Sequence, residues 1–190
     1  MLSTEKDYDR DPHDWWCQKF MELIKTIQDS NVGVDAPHPV VYEERKEARA
    51  VIFDKDRKIA LLHVTKKHYH KLPGGEIESG ESIEAAVRRE VLEETGCTID
   101  KLRELAMIEE YRNKLQLHQT SYCFLADVAG EKGGQRLEAG EIADGHEPEW
   151  LGIKDAINML EGESGVEDYE GKFIRMRDLA FLKAAAGLRK

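Results

Sequence analysis

The stretch RREVLEETG, Arg88 to Gly96, sets Glu90, Glu93 and Glu94 close together in what is otherwise good helix sequence. Ser82 suits an N-cap, Glu84 lies in the first turn where the helix dipole favours an acid, and Gly96 stands where a left-handed residue ends a helix. Stepping about 100° per residue puts Ile83, Ala86, Val87 and Val91 on one stripe, which is the face to be buried. Glu90 and Glu94 fall inside that stripe and Glu93 at its edge. An acidic run is ordinarily a solvated helix face, and the wheel contradicts that reading here. Like charges four residues apart destabilise a helix slightly, and burying unpaired carboxylates costs several kcal/mol more. A divalent cation offsets both costs, since Mg²⁺ takes hard oxygen ligands and bridges one or two protein carboxylates to substrate phosphates. Arg89, one turn before Glu93, is placed to orient it by a charge-assisted bond.

Just upstream lies LPGGEIESGE, in which Pro73 fixes φ while Gly74 and Gly75 let the main chain bend sharply and approach a ligand closely. Turn and helix stand at a fixed distance: Gly75, five residues, Glu81, seven residues, then REVLEETGC ending at Cys97. This segment resembles the Nudix box of the Nudix hydrolase superfamily, with its Gly, Glu, Arg-Glu, Glu-Glu and Gly positions filled without a gap. Cys97 departs from the aliphatic residue the family prefers, and as a small hydrophobe it changes little.

The resemblance implies an α/β fold, the Nudix-type α/β/α sandwich with a mixed sheet. It also implies a metal-dependent hydrolase that cleaves the diphosphate linkage of a nucleoside diphosphate joined to another moiety, with Mg²⁺ or Mn²⁺. Carried onto this chain, Glu90, Glu93 and Glu94 bind the metal and one of them activates water, with Gly74 adding its carbonyl as a further ligand. Arg89 and Glu81 hold loop and helix in register. The family varies in which carboxylate is the base, so that role stays unassigned.

Outward from the box, EARAVIFD and KIALLHVT are apolar runs joined by DKDR, which suits a hairpin. CTIDKLRELAMIEEY, LQLHQTSYCFLADV and EWLGI read as further strands, Asp155 to Leu160 as a short helix, Gly162 to Gly171 as a polar loop, and Lys172 to Leu188 as a closing helix. At the other end, Trp16, Phe20, Leu23, Ile24 and Ile27 have helical spacing, so Asp14 to Ser30 is expected to be an amphipathic helix with Asp14 as its cap. Asn31 to Pro39 has the Gly and Pro content of a linker. The expected division is therefore an N-terminal helical extension with its linker over 1–39 and a Nudix domain over 40–190.

The chain has 190 residues and a formal net charge of -10, which disfavours nucleic acid and anionic membranes as partners. Cys17, Cys97 and Cys123 are odd in number and form no CxxC, so they read as reduced packing residues. The N-terminus lacks the apolar core of a signal peptide and no run is long enough to span a bilayer, so a cytoplasmic location is expected.

Other residues offer themselves for the site. Some members of the family use another acid from the loop before the last strand. In EAGEIADGHEPEW, Glu141, Asp144, Glu147 and Glu149 are available, and Glu147 is the first choice among them, although an ordinary solvated loop acid is the stronger reading of it. Lys66, Lys67, His68, His70 and Lys71 either meet substrate phosphates or form a solvated loop; without a Cys they are not read as a transition-metal site. Tyr111 and Arg112 either stack on and clamp a nucleotide or serve the fold. Trp15 and Trp16 read first as core, with a homodimer surface as the alternative.

The substrate is expected to be a small-molecule nucleotide, first a nucleoside triphosphate or modified nucleotide, with a nucleotide sugar or dinucleoside polyphosphate as alternatives. No proline occurs between Pro73 and Pro148, so the proline that follows the box in many ADP-ribose pyrophosphatases is missing. A regulatory, ligand-binding Nudix-like domain is the competing class, and the intact set of box acids weighs against it.

Overall fold

A computed structural model describes residues 21–39, 41–163 and 165–188. Its centre is a mixed sheet of eight strands among these residues: β1 (Leu23–Gln28), β2 (Glu43–Phe53), β3 (Ile59–Val64), β4 (Tyr69–Lys71), β5 (Gly74–Glu76), β6 (Thr98–Arg112), β7 (Leu117–Ala129) and β8 (His146–Leu151). The main order is β1-β6-β7-β2-β3-β4, while β5 pairs with β2 and β8 with β3. Pairs β1·β6 and β2·β7 are parallel and the rest antiparallel, which makes the sheet mixed.

Period-two alternation along β2 builds both cores at once. Ala48, Ala50 and Ile52 pack on one face with Ala86, Val87 and Val91 of α1 (Ile83–Thr95). Val51 and Phe53 pack on the other with residues of α3 (Ile153–Gly162) and α4 (Tyr169–Gly187), including Leu160, Phe173, Phe181 and Leu182. A short α2 (Ala139–Asp144) precedes β8. Helices thus cover both faces, giving the expected α/β/α sandwich. The second face also buries charge: Glu47, Arg49, Glu110, Arg112, Arg177 and Asp178 lie within the fold. There Arg177 Nη1 reaches Glu47 at 3.1 Å and Glu110 at 3.4 Å, and its Nε donates to Asp178 at 2.8 Å.

The N-terminal expectation needs correcting. Leu23–Gln28 is a strand, parallel to β6, and Asp29–Val32 is a single 3-10 turn. Helical spacing misled because only Ile27 of this edge strand is buried, so the strand shows no alternation of its own. The 3-10 turn runs on into the expected linker, and its first residue, buried Asp29, accepts from the Asn113 amide at 2.9 Å and from the Tyr169 hydroxyl at 2.9 Å. Trp15, Trp16 and Cys17 lie outside the described residues. Cys97 and Cys123 are buried free thiols.

Candidate active site

Helix α1 starts and stops where its sequence says. Ser82 Oγ accepts from the Ala85 amide at 3.2 Å, and Gly96 closes the helix at φ 69°. The loop after β7 then covers the C-terminal turn, with the Arg136 amide donating to the Glu93 carbonyl at 2.7 Å. Orphan carbonyls at that end are satisfied, so the helix is held at the angle that aims its carboxylates toward the turn.

The two glycines of the turn are required by contact. Gly74 has φ 137°, and a Cβ there would lie 2.1 Å from the Ala48 carbonyl oxygen. A Cβ on Gly75 would lie 2.4 Å from Glu90 Oε1, so the carboxylate rests on bare backbone. The Gly74 amide donates to Glu94 Oε2 at 2.6 Å, and its carbonyl accepts from Arg49 Nη1. Turn and helix are therefore locked to one another through Glu94.

Arg89 joins the same parts from the outer side. It donates to both Glu81 oxygens at 3.1 and 3.0 Å, to the Glu76 carbonyl at 3.0 Å, to Glu90 at 2.7 Å and to Glu93 at 3.3 Å. Its guanidinium holds the Glu81 carboxyl below the usual carboxylate range.

The three box carboxylates differ in setting. Glu94 is fully buried, Glu90 nearly so, and Glu93 is a third exposed. Burial, reinforced by the neighbouring Glu94 charge, pushes Glu90 up to about 7 against the pull of Arg89 and Arg49. Burial also raises Glu94, opposed by Lys71, Arg49 and the Gly74 amide. Lys71 Nζ forms an ion pair with Glu94 Oε1 at 2.9 Å.

Of the later-loop acids singled out in the sequence, Glu141 reaches the site. Together with Glu138 it lines a cleft of about 400 Å³ with Arg49, Lys71, Gly74, Glu90 and Glu93, whereas Glu147 is exposed and not part of that lining. Burial would raise Glu141, yet the His146 ring beside it and the hydrogen bond from the Glu138 amide bring it down to about 2. His146 is buried, with Nδ1 3.6 Å from Glu141 and 3.9 Å from Glu94. Nothing in a stretch of scattered acids marks Glu141; the short helix that turns it inward, capped reciprocally by Glu138, was not foreseen.

Of the basic cluster before the turn, Lys71 lines the cleft, Lys67 pairs with Asp144 at 2.8 Å, and His70 is engaged by Glu163. Arg112 serves the fold, buried with Glu110 and lying over the Phe173 ring. Tyr111 stacks on His118 with centroids 4.3 Å apart.

A divalent ion fits this donor set. Burial disfavours the charged forms of Glu90 and Glu94, and the Glu94 charge opposes that of Glu90, a cost that a hard cation bound by their oxygens would offset.

The NUDIX domain family matches residues 43–170. ADP-ribose pyrophosphatase of Methanocaldococcus jannaschii is 32% identical over 123 residues, 62% of this chain and 69% of its own. The oxidized purine nucleoside triphosphate hydrolase of Danio rerio is 36% identical over 81 residues, 42% of this chain and 47% of its own. Diphosphoinositol polyphosphate phosphohydrolase 3-alpha of Mus musculus is 32% identical over 122 residues, 62% of this chain and 70% of its own. Among solved structures, a NUDIX hydrolase from Nitrosomonas europaea superposes with TM-score 0.60 at 18% identity, covering 78% of this chain and 92% of the other, a likeness of fold. With the box geometry and the family match over the same residues, the chain belongs to the Nudix hydrolase family.

Proposed function

We propose that the protein hydrolyses the diphosphate linkage of a nucleoside diphosphate joined to a further moiety, with a nucleoside triphosphate or modified nucleotide as its first substrate. The observation that carries this reading is the convergence of Glu90, Glu93 and Glu141 with Lys71 on one cleft beside the bare backbone of Gly74 and Gly75, with Glu94 buried directly behind Lys71.

Each group then has work to do. Glu90, Glu93 and Glu94 would hold Mg²⁺ or Mn²⁺, with the Gly74 carbonyl as a further ligand. When bound, the ion neutralises phosphate oxygens and lowers the pKa of a water. Lys71 and Arg49 supply positive charge at the cleft wall, where a diphosphate needs it. Glu90, raised to about 7 by burial and the Glu94 charge while metal-free, would lose its proton as the cation binds, so metal uptake near neutral pH is coupled to proton release. Arg89 and Glu81 hold the loop in register with the helix, and Arg89 also lines the cleft beside Glu90 and Glu93. No helix among the described residues is long and apolar enough to cross a membrane, in keeping with a cytoplasmic enzyme. Size-exclusion chromatography decides whether it works as a homodimer.

Three substrate classes are represented among the relatives, so the test is a panel: nucleoside triphosphates, oxidised nucleotides, ADP-ribose, nucleotide sugars, dinucleoside polyphosphates and diphosphoinositol polyphosphates. ADP-ribose stays in it because of the archaeal relative, despite the missing proline. Phosphate or pyrophosphate release is expected with Mg²⁺ or Mn²⁺, falling by on the order of 10²–10⁴ in Glu93→Gln and Glu94→Gln. Tight nucleotide binding without turnover on any compound would instead make this a binding domain.

A further inference from the structure

Strand pairing brings together three residues that are far apart in sequence. His63 of β3 faces His70 of β4 directly, and Glu149 of β8 faces Leu61, two residues from His63 along β3 and on the same side of the sheet. The two imidazoles stack with centroids 4.4 Å apart and an interplanar angle of 12°. One Glu149 oxygen lies 3.7 Å from His63 Nδ1 and the other 3.7 Å from His70 Nε2, and one donor atom from each residue falls within 4.8 Å of the others.

We infer that His63, His70 and Glu149 form a binding site for a divalent transition-metal ion of the zinc class, on the opposite side of β4 from the catalytic cleft.

Donor spacing supports an ion. Ligands at the usual 2.0–2.1 Å from tetrahedral zinc are about 3.3 Å apart, and the two 3.7 Å gaps, one to each Glu149 oxygen, close if the partly exposed His63 and Glu149 turn toward the buried His70, which also unstacks the two rings so that their in-plane lone pairs converge. Two imidazoles and one carboxylate, with a fourth position left to water, make a familiar zinc donor set.

A second observation comes from His70 itself. The residue is 9% exposed, and its Nε2 is buried with no hydrogen-bond partner. Its other ring nitrogen, Nδ1, is engaged by Glu163 Oε1, while Glu163 Oε2 accepts from the His70 amide at 3.2 Å. A carboxylate on one imidazole nitrogen fixes the tautomer and presents the other nitrogen's lone pair, as it does for metal-bound histidines. Here that lone pair points at a carboxylate, a repulsive arrangement until a cation stands between them. His63 and Glu149 side chains are 31% and 42% exposed, so an ion can enter from solvent.

Selectivity separates this site from the cleft. Imidazole favours zinc, cobalt, nickel and copper, whereas an all-oxygen box favours Mg²⁺ or Mn²⁺. Occupancy would tie β3, β4 and β8 to the end of α3, where Glu163 lies. Lys71, the residue after His70, points to the other face and stands by Glu94, so the same three-residue strand would link both sites.

The test uses the full chain stripped of metal by chelation and titrated with Co²⁺ in saturating Mg²⁺. One equivalent should give the intense visible bands of four- or five-coordinate cobalt, and Zn²⁺ should displace it. His63→Ala and Glu149→Gln, both at partly exposed positions, should abolish the bands, and Glu163→Gln should weaken binding by roughly 10- to 100-fold. Glu93→Gln should leave them unchanged. Absence of bands would mean that only a proton bridges His70 and Glu149, and would overturn the site. Bands that survive in His63→Ala and Glu149→Gln, or vanish in Glu93→Gln, would also overturn it, the latter by placing the ion in the cleft. Because the readout is spectroscopic, failure here leaves the hydrolase reading standing, and an inactive enzyme can still bind cobalt.

Discussion

At the scale of single residues, the box carboxylates show how one helix gives the same side chain different chemistry. Glu93 is partly solvated, Glu94 is sealed under Lys71 and the Gly74 amide, and Glu90 lies between them against Gly75. The sign of the resulting pH effect follows from Glu90, whose folded value is raised from 4.5 to about 7. Between those values the folded, metal-free protein keeps a proton that the unfolded chain has released, so stability falls as pH rises through this window. Glu94, also raised, acts in the same direction. Glu141 has the opposite sign, and its contribution is lost only as pH falls toward about 2. Denaturant unfolding in chelator should therefore show a loss of about 1–2 kcal/mol between roughly pH 5 and pH 8, after allowance for solvent screening. Mg²⁺ should recover it at the higher pH by binding the folded state alone. An unchanged pH slope in Glu90→Gln would assign the effect elsewhere.

At the scale of the element, the helix and its preceding loop act as one part because Arg89 clamps them. Its planar fork meets both Glu81 oxygens, and the same guanidinium reaches the Glu76 carbonyl, Glu90 and Glu93. Lysine keeps the charge but cannot span these partners. Arg89→Lys is expected to lower kcat by on the order of 10²-fold, the cost of misplacing reacting groups by about an ångström, with a smaller change in KM. Equal kcat in the variant would show that the loop holds its place without the clamp. This part of the molecule was legible in advance because its signals are local: a cap at Ser82, an apolar stripe interrupted by acids, and glycines at 74, 75 and 96. The three-residue strands β4 and β5 were not legible, since they lack the length to show a period and exist only through pairing with β3 and β2. Glu141 and the His63, His70, Glu149 cluster escaped for the same reason. Their neighbours are set by sheet register across long stretches of chain.

At the scale of the whole molecule, the question is where the folding unit begins. A start at residue 40, after the expected linker, retains the box, both central parallel strands and every helix described here. It removes β1, the parallel partner of β6 over Leu23 to Gln28, and with it Ile27, which is completely buried among Val51, Ile108 and Phe181. Burying such a side chain stabilises by about 1.5–3 kcal/mol. It also removes Asp29, leaving the buried Asn113 amide without its acceptor and the Tyr169 hydroxyl without one of its partners. An orphaned buried donor costs about 1–3 kcal/mol. Together these losses are a large share of the roughly 5–15 kcal/mol that holds a typical domain folded. We therefore expect a chain beginning at residue 40 to be several kcal/mol less stable in denaturant unfolding than one beginning at residue 21, which keeps β1 and Asp29. Phosphate-release assays on both would then divide the roles. Loss of activity in proportion to folded fraction makes β1 a stabilising edge of the sheet. Equal stability of the two truncations would return residues up to 39 to the status of an appendage.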